Sequence, residues 1–233
     1  MTEVVVVLPA APPGVVPYVA ARSEERLLPA RLVHRRAGAG IAYADETPHD
    51  RDSFGVPWVR PRLLPKRRRG EPRLQDVHPY RQRRAMLNMR CQVCSRPPAD
   101  EAGPHLFLLR STGGPVREGE RTASPPVCVP CAGLAVQLCK ALQGGQWVAA
   151  WVRHTPAWGV RGTVHDPATL QPLPGRYMEP VEYGSPLAAW TVAARLVVEL
   201  QGVTAADLER EWAVLGRTRL EEEFTRVADL VTA

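Results

Sequence analysis

Apolar and polar positions along the chain change period several times, and each change predicts an element. Residues 3–8, Glu-Val-Val-Val-Val-Leu, form a β-branched run that predicts a buried strand, closed by Pro9 and Pro12-Pro13-Gly14. Residues 27–33 and 40–44 predict two further short strands, with Gly38 and Gly40 marking the turn between them. From Thr47 to Pro65 the chain is polar and interrupted by proline, which predicts a surface wrap pinned by Phe54 and Trp58. Further along, residues 146–153 predict a strand with Trp147 and Trp151 on one face. Residues 160–165 and 177–183 predict a hairpin across the Pro/Gly-rich link 166–175.

Helical spacing dominates the last 50 residues. Ser185-Pro186 fits an N-cap followed by proline at the first helical position, and Gly202 fits the stop. Thr204 with Asp207, and Thr218 with Glu221, match the spacing of a capping box. Leu208, Trp212 and Leu215, then Leu220, Phe224, Val227 and Leu230, fall on helical faces, so three helices are expected. The fold class is therefore α+β. Its expected parts are a β-rich segment 1–59, a basic linker and helix 60–90, a cysteine module 91–145, and a hairpin with helices 146–233.

Charge is concentrated rather than spread. The chain has 30 basic and 24 acidic residues, but residues 60–90 carry a net +9 and the remainder a net −3. Only Lys66 and Lys140 are lysines, a skew that reads in part as codon bias and weakens any inference from the overall charge. Lys66, Arg67, Arg68 and Arg69 lie beside Gly70 and Pro72 in what reads as a mobile stretch. Arg81, Arg83 and Arg84 lie on a short helix expected over 80–89. These seven are candidate phosphate contacts. Stacking aromatics are few, Trp58 and Tyr80 only, and the competing reading is a solvated linker.

No stretch approaches the ~18 apolar residues of a membrane span. The run ending at Leu8 is too short for a signal peptide and is preceded by Glu3. The expected compartment is the reducing cytoplasm, where paired cysteines bind metal more often than they form disulfides. Cys91-Gln92-Val93-Cys94 and Cys128-Val129-Pro130-Cys131 are separated by 33 residues. Two residues between cysteines let both sulfurs reach one ion, and four thiolates complete the tetrahedron of a structural Zn²⁺ site.

Between the pairs, residues 105–110 predict a strand, 111–115 a turn and 116–122 an antiparallel return; residues 128–142 then predict a helix whose first turn presents Cys128 and Cys131. Knuckle, hairpin and helix in that order describe a treble clef. Cys139 lies over two helical turns past Cys131, ~12 Å along the axis, and reads as a buried apolar residue. His105 is an alternative ligand. HNH nucleases also place a histidine at the start of such a hairpin, but no Asp precedes His105, no Asn lies between 91 and 131, and no His follows Cys131 in the helix.

Recognisable catalytic signatures are absent: there is no GxSxG, P-loop, GxGxxG or HExxH pattern. Asp45, Glu46, Asp50 and Asp52 around His49 could hold a cation, although such runs are more often solvated loops. Residues 81–86 running into Cys91–Cys94, residues 118–128, and the tail from Tyr183 resemble a group of uncharacterised actinobacterial proteins. That resemblance implies one recurring unit and no activity. The expected function is a non-enzymatic zinc protein that binds nucleic acid through residues 60–90. The alternative is a protein-interaction adaptor with a purely structural zinc site.

Overall fold

The computed structural model describes residues 7–36 and 40–232. Most of the strand predicted over 3–8 and Gly38 of the predicted turn lie outside them. Along the chain come β1 (Ala20–Arg22), β2 (Leu32–His34), β3 (Ile41–Tyr43), β4 (Pro72–Val77) and α1 (Pro79–Leu87). Next are β5 (His105–Arg110), β6 (Arg121–Thr122), α2 (Val129–Leu138), β7 (Trp147–His154) and β8 (Ala157–Val164). The chain ends with β9 (Glu179–Glu182), β10 (Thr191–Glu199), β11 (Gln201–Ala205), α3 (Leu208–Leu215) and α4 (Arg217–Thr232). The class is α+β.

Period-two alternation in β5 and β7 builds the centre of the molecule. Phe107, Leu109, Ala150 and Val152 face one way and join Val160, Val164, Leu196 and Val198 of β8 and β10 in one core. Leu106, Leu108, Ala149, Trp147 and Trp151 face the other way, onto α2, α3 and α4. The sheet β11-β7-β5 is thus covered on both faces: by the sheet β6-β10-β8-β9 on one side and by the C-terminal helices on the other. Burial on both faces explains why His-Leu-Phe-Leu-Leu-Arg reads as a continuous apolar run.

Several predicted elements stand as expected. β7 carries Trp147 and Trp151 on the helix side, β8 pairs with β9 across the predicted link, and β2 pairs with β3. Trp58 is buried to 1% exposure, and the more exposed Phe54 stacks on Tyr183 at 3.9 Å.

Others differ. The helix predicted from Ser185-Pro186 to Gly202 is a 3₁₀ turn, Pro186–Trp190, followed by β10 and β11, so two long helices close the chain rather than three. Thr191, Val192, Val197 and Val198 are β-branched, and pairing with β8 along the strand outweighs the local cap signal. Segment 116–122 does not return along β5. β5 pairs instead with β7, and the two-residue β6 pairs with β10. Gly113, Gly114, Pro115 and Gly119 leave the return too irregular to compete with the full-length apolar edge of β7. The hairpin of a treble clef is therefore missing, although its knuckle and helix are present. Finally, the 60–90 stretch contributes β4, paired with β1, and α1, packed on β10.

α1 contacts β10 at an irregularity. The β8–β10 register slips between Ala193 and Arg195, and on the other edge of β10, among the described residues, Leu196 has no strand neighbour, since β6 pairs only with Val198 and Glu199. Gln82, fully buried, takes the place of a strand there: its amide NH₂ donates to the carbonyls of Leu196 and Ala123, and its oxygen accepts from the Leu196 N–H at 2.9 Å.

Candidate metal centre

The first cysteine pair sits in a tight knuckle after α1. Cys91 N–H donates to the Arg96 carbonyl and Ser95 N–H to the Cys91 carbonyl, both at 2.9 Å. Ser95 adopts φ 60°, the left-handed conformation that turns the chain back. Neighbouring backbone pins this loop: Tyr18 and Val19 donate to the Val93 and Gln92 carbonyls, and Gln92 bonds both Pro125 and Pro126. The second pair opens α2. Val127 N–H donates to the Leu106 carbonyl, which delivers Cys128 to the N-cap position and Cys131 to the first turn.

All four sulfurs lie within 4.8 Å of one another, and those of Cys94 and Cys128 are 3.9 Å apart. A tetrahedron with metal–sulfur bonds of ~2.3 Å has sulfur–sulfur edges of ~3.8 Å, whereas a disulfide would need ~2.05 Å. All are free thiols. The spacing therefore fits one ion at the centre of the cluster and does not fit two disulfides. Cys91, Cys94, Cys128 and Cys131 form a metal-binding site.

Charges around the site suit thiolates. Hydrogen bonds from Cys128 and then Cys131 lower Cys94; at Cys91 burial opposes ionisation, and the same two partners outweigh it. The Cys131 thiol is raised, because its proton is held against Cys128, Cys91 and Cys94. A cation would replace these shared protons, so metal binding and proton release are linked. α4 supplies a positive counterweight. The Arg226 guanidinium lies against Cys94, and its Nε donates to Glu223 at 3.0 Å; Glu223 also accepts from Arg96 beside the knuckle at 2.8 Å. Buried Arg226 Nη2 has no well-aligned hydrogen-bond partner among the described residues, although it lies 2.9 Å from the Glu223 carboxylate in an ion pair. Phe224 presses on Gly133 of α2, where an added Cβ would come within 3.1 Å of its ring. The sequence pattern missed Arg96, Glu223 and Arg226. For Glu223 and Arg226 the signal was the i, i+4, i+7 alignment of Arg219, Glu223 and Arg226 along one face of α4; Arg96 carried none.

The remaining candidates fall elsewhere. His105 is half-buried and lies outside the sulfur cluster. It lines an open cleft of about 760 Å³ beside the centre, with Arg96, Cys128, Trp151, Arg153 and Arg219. Cys139 is exposed, not buried, because α2 ends at Leu138 and Cys139 is its C-cap. The acidic run is internally satisfied. Asp50 and Asp45 bind Arg60, Glu46 binds Arg51, and Asp52 accepts from Trp58 Nε1 and Tyr183. Arg60 and Thr47 hold the Asp50 carboxyl well below its usual range, and this loop is an ion-pair network rather than a cation cage.

Of the seven basic candidates, Arg67, Arg68 and Arg84 are exposed, and the exposed Lys66 donates to the Leu230 carbonyl. Arg83 lies over the Trp58 ring at 4.4 Å. Arg81 is turned inward and grips Glu25 with both terminal nitrogens, at 2.6 and 2.7 Å, while Arg69 reaches the same carboxylate at 3.3 Å. Burial alone would raise Glu25, but Arg81 outweighs it and holds the carboxyl below its ordinary value.

His78 completes this network. Its Nδ1 accepts from Arg81 N–H as the N-cap of α1, which requires a lone pair on that nitrogen and therefore a neutral ring. Burial, then the Arg81 charge, push its pKa from 6.5 down to about 4. The unfolded chain takes up a proton near pH 6.5 that the folded chain refuses until about pH 4. Stability should thus fall as pH drops through that window, by up to ~1.4 kcal/mol per pH unit. His78→Asn keeps a cap acceptor and removes the titration, so unfolding titrations should flatten between those limits. Equal slopes in both proteins would contradict this role.

No protein-family model, curated protein or solved structure matches the chain, so its functional reading rests on the geometry above.

Proposed function

We propose that this chain is a non-enzymatic cytoplasmic zinc protein whose arginine-rich surface engages the phosphate backbone of nucleic acid. Four thiolates favour zinc among the available metals and leave no open coordination position, which suits a structural ion. A reducing compartment keeps such thiols free.

The observation that carries the nucleic-acid reading is how folding enlarges the basic run. Arg22 of β1 lies opposite Pro72 of β4, and Arg62 N–H bonds the Arg26 carbonyl. Exposed Arg26 and Arg62 thus join exposed Arg67, Arg68 and Arg73 on neighbouring backbone. Exposed Leu27, Leu28, Leu63 and Leu74 in the same region favour a second reading, a protein partner with an acidic, apolar face.

Binding of the zinc-loaded chain to fluorescent single-stranded and duplex oligonucleotides over a salt series separates the two. The logarithm of the affinity for nucleic acid should fall linearly with log salt. Removing one phosphate-binding arginine, as in Arg67→Gln or Arg68→Gln, should reduce the slope by ~0.7–0.9. Affinity independent of salt, or unchanged in the double variant, would sink the nucleic-acid reading. Nuclease-resistant capture of a protein would then favour the adaptor.

A further inference from the structure

Arg161 of β8 and Arg195 of β10 are paired residues in an antiparallel ladder. Side chains directly opposite in such a ladder start ~4.5–5.5 Å apart, and like charges there are destabilising. A change of register creates this juxtaposition. Thr191, Val192 and Ala193 pair with Val164, Thr163 and Gly162; an unbroken ladder would then set Ala194 against Arg161. The slip after Ala193 skips one residue and brings Arg195 there instead. Bulges of this kind re-aim side chains and gather at functional positions. The buried Gln82 amide bonds both the N–H and the carbonyl of Leu196, next to the slip.

Neither guanidinium has a neutralising partner among the described residues. Among the described residues, no carboxylate lies within ion-pair distance of Arg161 or Arg195. On its other side Arg161 faces Pro180 of β9. Arg195 is partly buried, and its pKa is lowered by burial first and by Arg161 second. The groups that oppose this are Tyr177, 78% exposed, and exposed Asp76, which already has Arg73 at 3.9 Å.

We propose that Arg161 and Arg195 form a clamp for a phosphate group. Each guanidinium presents a planar fork of donors. A carboxylate's two oxygens fill one fork, whereas the three or four oxygens of a phosphate can fill two at once and carry enough charge to cancel the repulsion. The clamp stands without the nucleic-acid reading, since the ligands with three or four free oxygens are inorganic phosphate and a monoester, whereas a backbone diester leaves only two.

The test is thermal unfolding of the zinc-loaded full chain in inorganic phosphate and in sodium chloride of equal ionic strength. Phosphate stabilises many proteins by exclusion, so the wild type is compared with R161Q and R195Q. Wild-type Tm should rise by about 2–4 °C more in phosphate than in chloride, and that increment should vanish in both variants. In chloride, R161Q should melt no lower than the wild type, because the repulsion is relieved. An equal phosphate increment in wild type and R161Q, or a clear drop of Tm in chloride on substituting exposed Arg161, would overturn the clamp. Oligonucleotide titration is the control for charge alone. A fall in the salt slope by ~0.7–0.9 in R161Q would show the pair holding a backbone diester and would overturn the clamp; an unchanged slope together with the phosphate increment supports a free phosphate or monoester. Absence of any oligonucleotide binding alongside that increment would remove the nucleic-acid reading and leave the clamp.

Discussion

Stripping the metal with a strong chelator should melt the helical side of the molecule while leaving much of the outer sheet in place. The four cysteines join a knuckle, the start of α2 and, through Arg226, the face of α4. Their core also contains Leu208, Trp212, Leu220, Phe224 and Val227, so an ion held by the four sulfurs would anchor three helices to the sheet. Structural zinc contributes ~10–16 kcal/mol in isolated fingers, comparable with the ~5–15 kcal/mol stability of a whole domain. Even partial removal should lower Tm by more than ~10 °C.

Trp147 and Trp212 stack edge-on at 6.1 Å, and Trp212 Nε1 donates to the Val129 carbonyl in the first turn of α2. Near-ultraviolet circular dichroism should therefore lose its aromatic signal on chelation. Hydrogen exchange should become fast in α2, α3 and α4 and stay slow in β8 and β10, whose core does not include the cysteines. Cys131→Ser, at a fully buried position, should reproduce the effect. An apo protein with unchanged Tm and unchanged exchange would contradict a structural role for the ion.

Replacing Gln82 with methionine should be among the most damaging single changes outside the cysteines. Methionine keeps the volume but leaves the Leu196 N–H and the carbonyls of Leu196 and Ala123 without the amide that serves them. Each unsatisfied buried group costs ~1–3 kcal/mol, so urea unfolding should show destabilisation by ~3 kcal/mol or more. Arg84→Ala, on the same helix but exposed, should stay within ~0.5 kcal/mol of wild type. A Gln82→Met effect below ~1 kcal/mol would mean that the slip in β10 relaxes, and Arg195 should then leave its register with Arg161.

Local chemistry was legible in the sequence, and long-range competition was not. CxxC spacing identifies the metal ligands because two residues suffice to set both sulfurs on one ion. The faces of β7, α3 and α4 follow from period alone. The stretch after Ser185 misled because its cap signal is local, whereas its strand state depends on β8, more than twenty residues away. The same holds for β5, whose partner lies beyond α2. Arg81 reads as a surface charge until folding brings Glu25 to it from β1's flank, 56 positions earlier. Arg226 shows in the sequence only as one more charge on an amphipathic helix, and only the folded chain brings it to Cys94.

Zinc K-edge X-ray absorption on the purified full-length chain, with metal stoichiometry from the same sample, tests the centre most directly. One zinc per chain surrounded by four sulfurs at ~2.3 Å is the predicted result. A natively folded protein without stoichiometric metal, or a coordination sphere containing imidazole nitrogen such as that of His105, would contradict it.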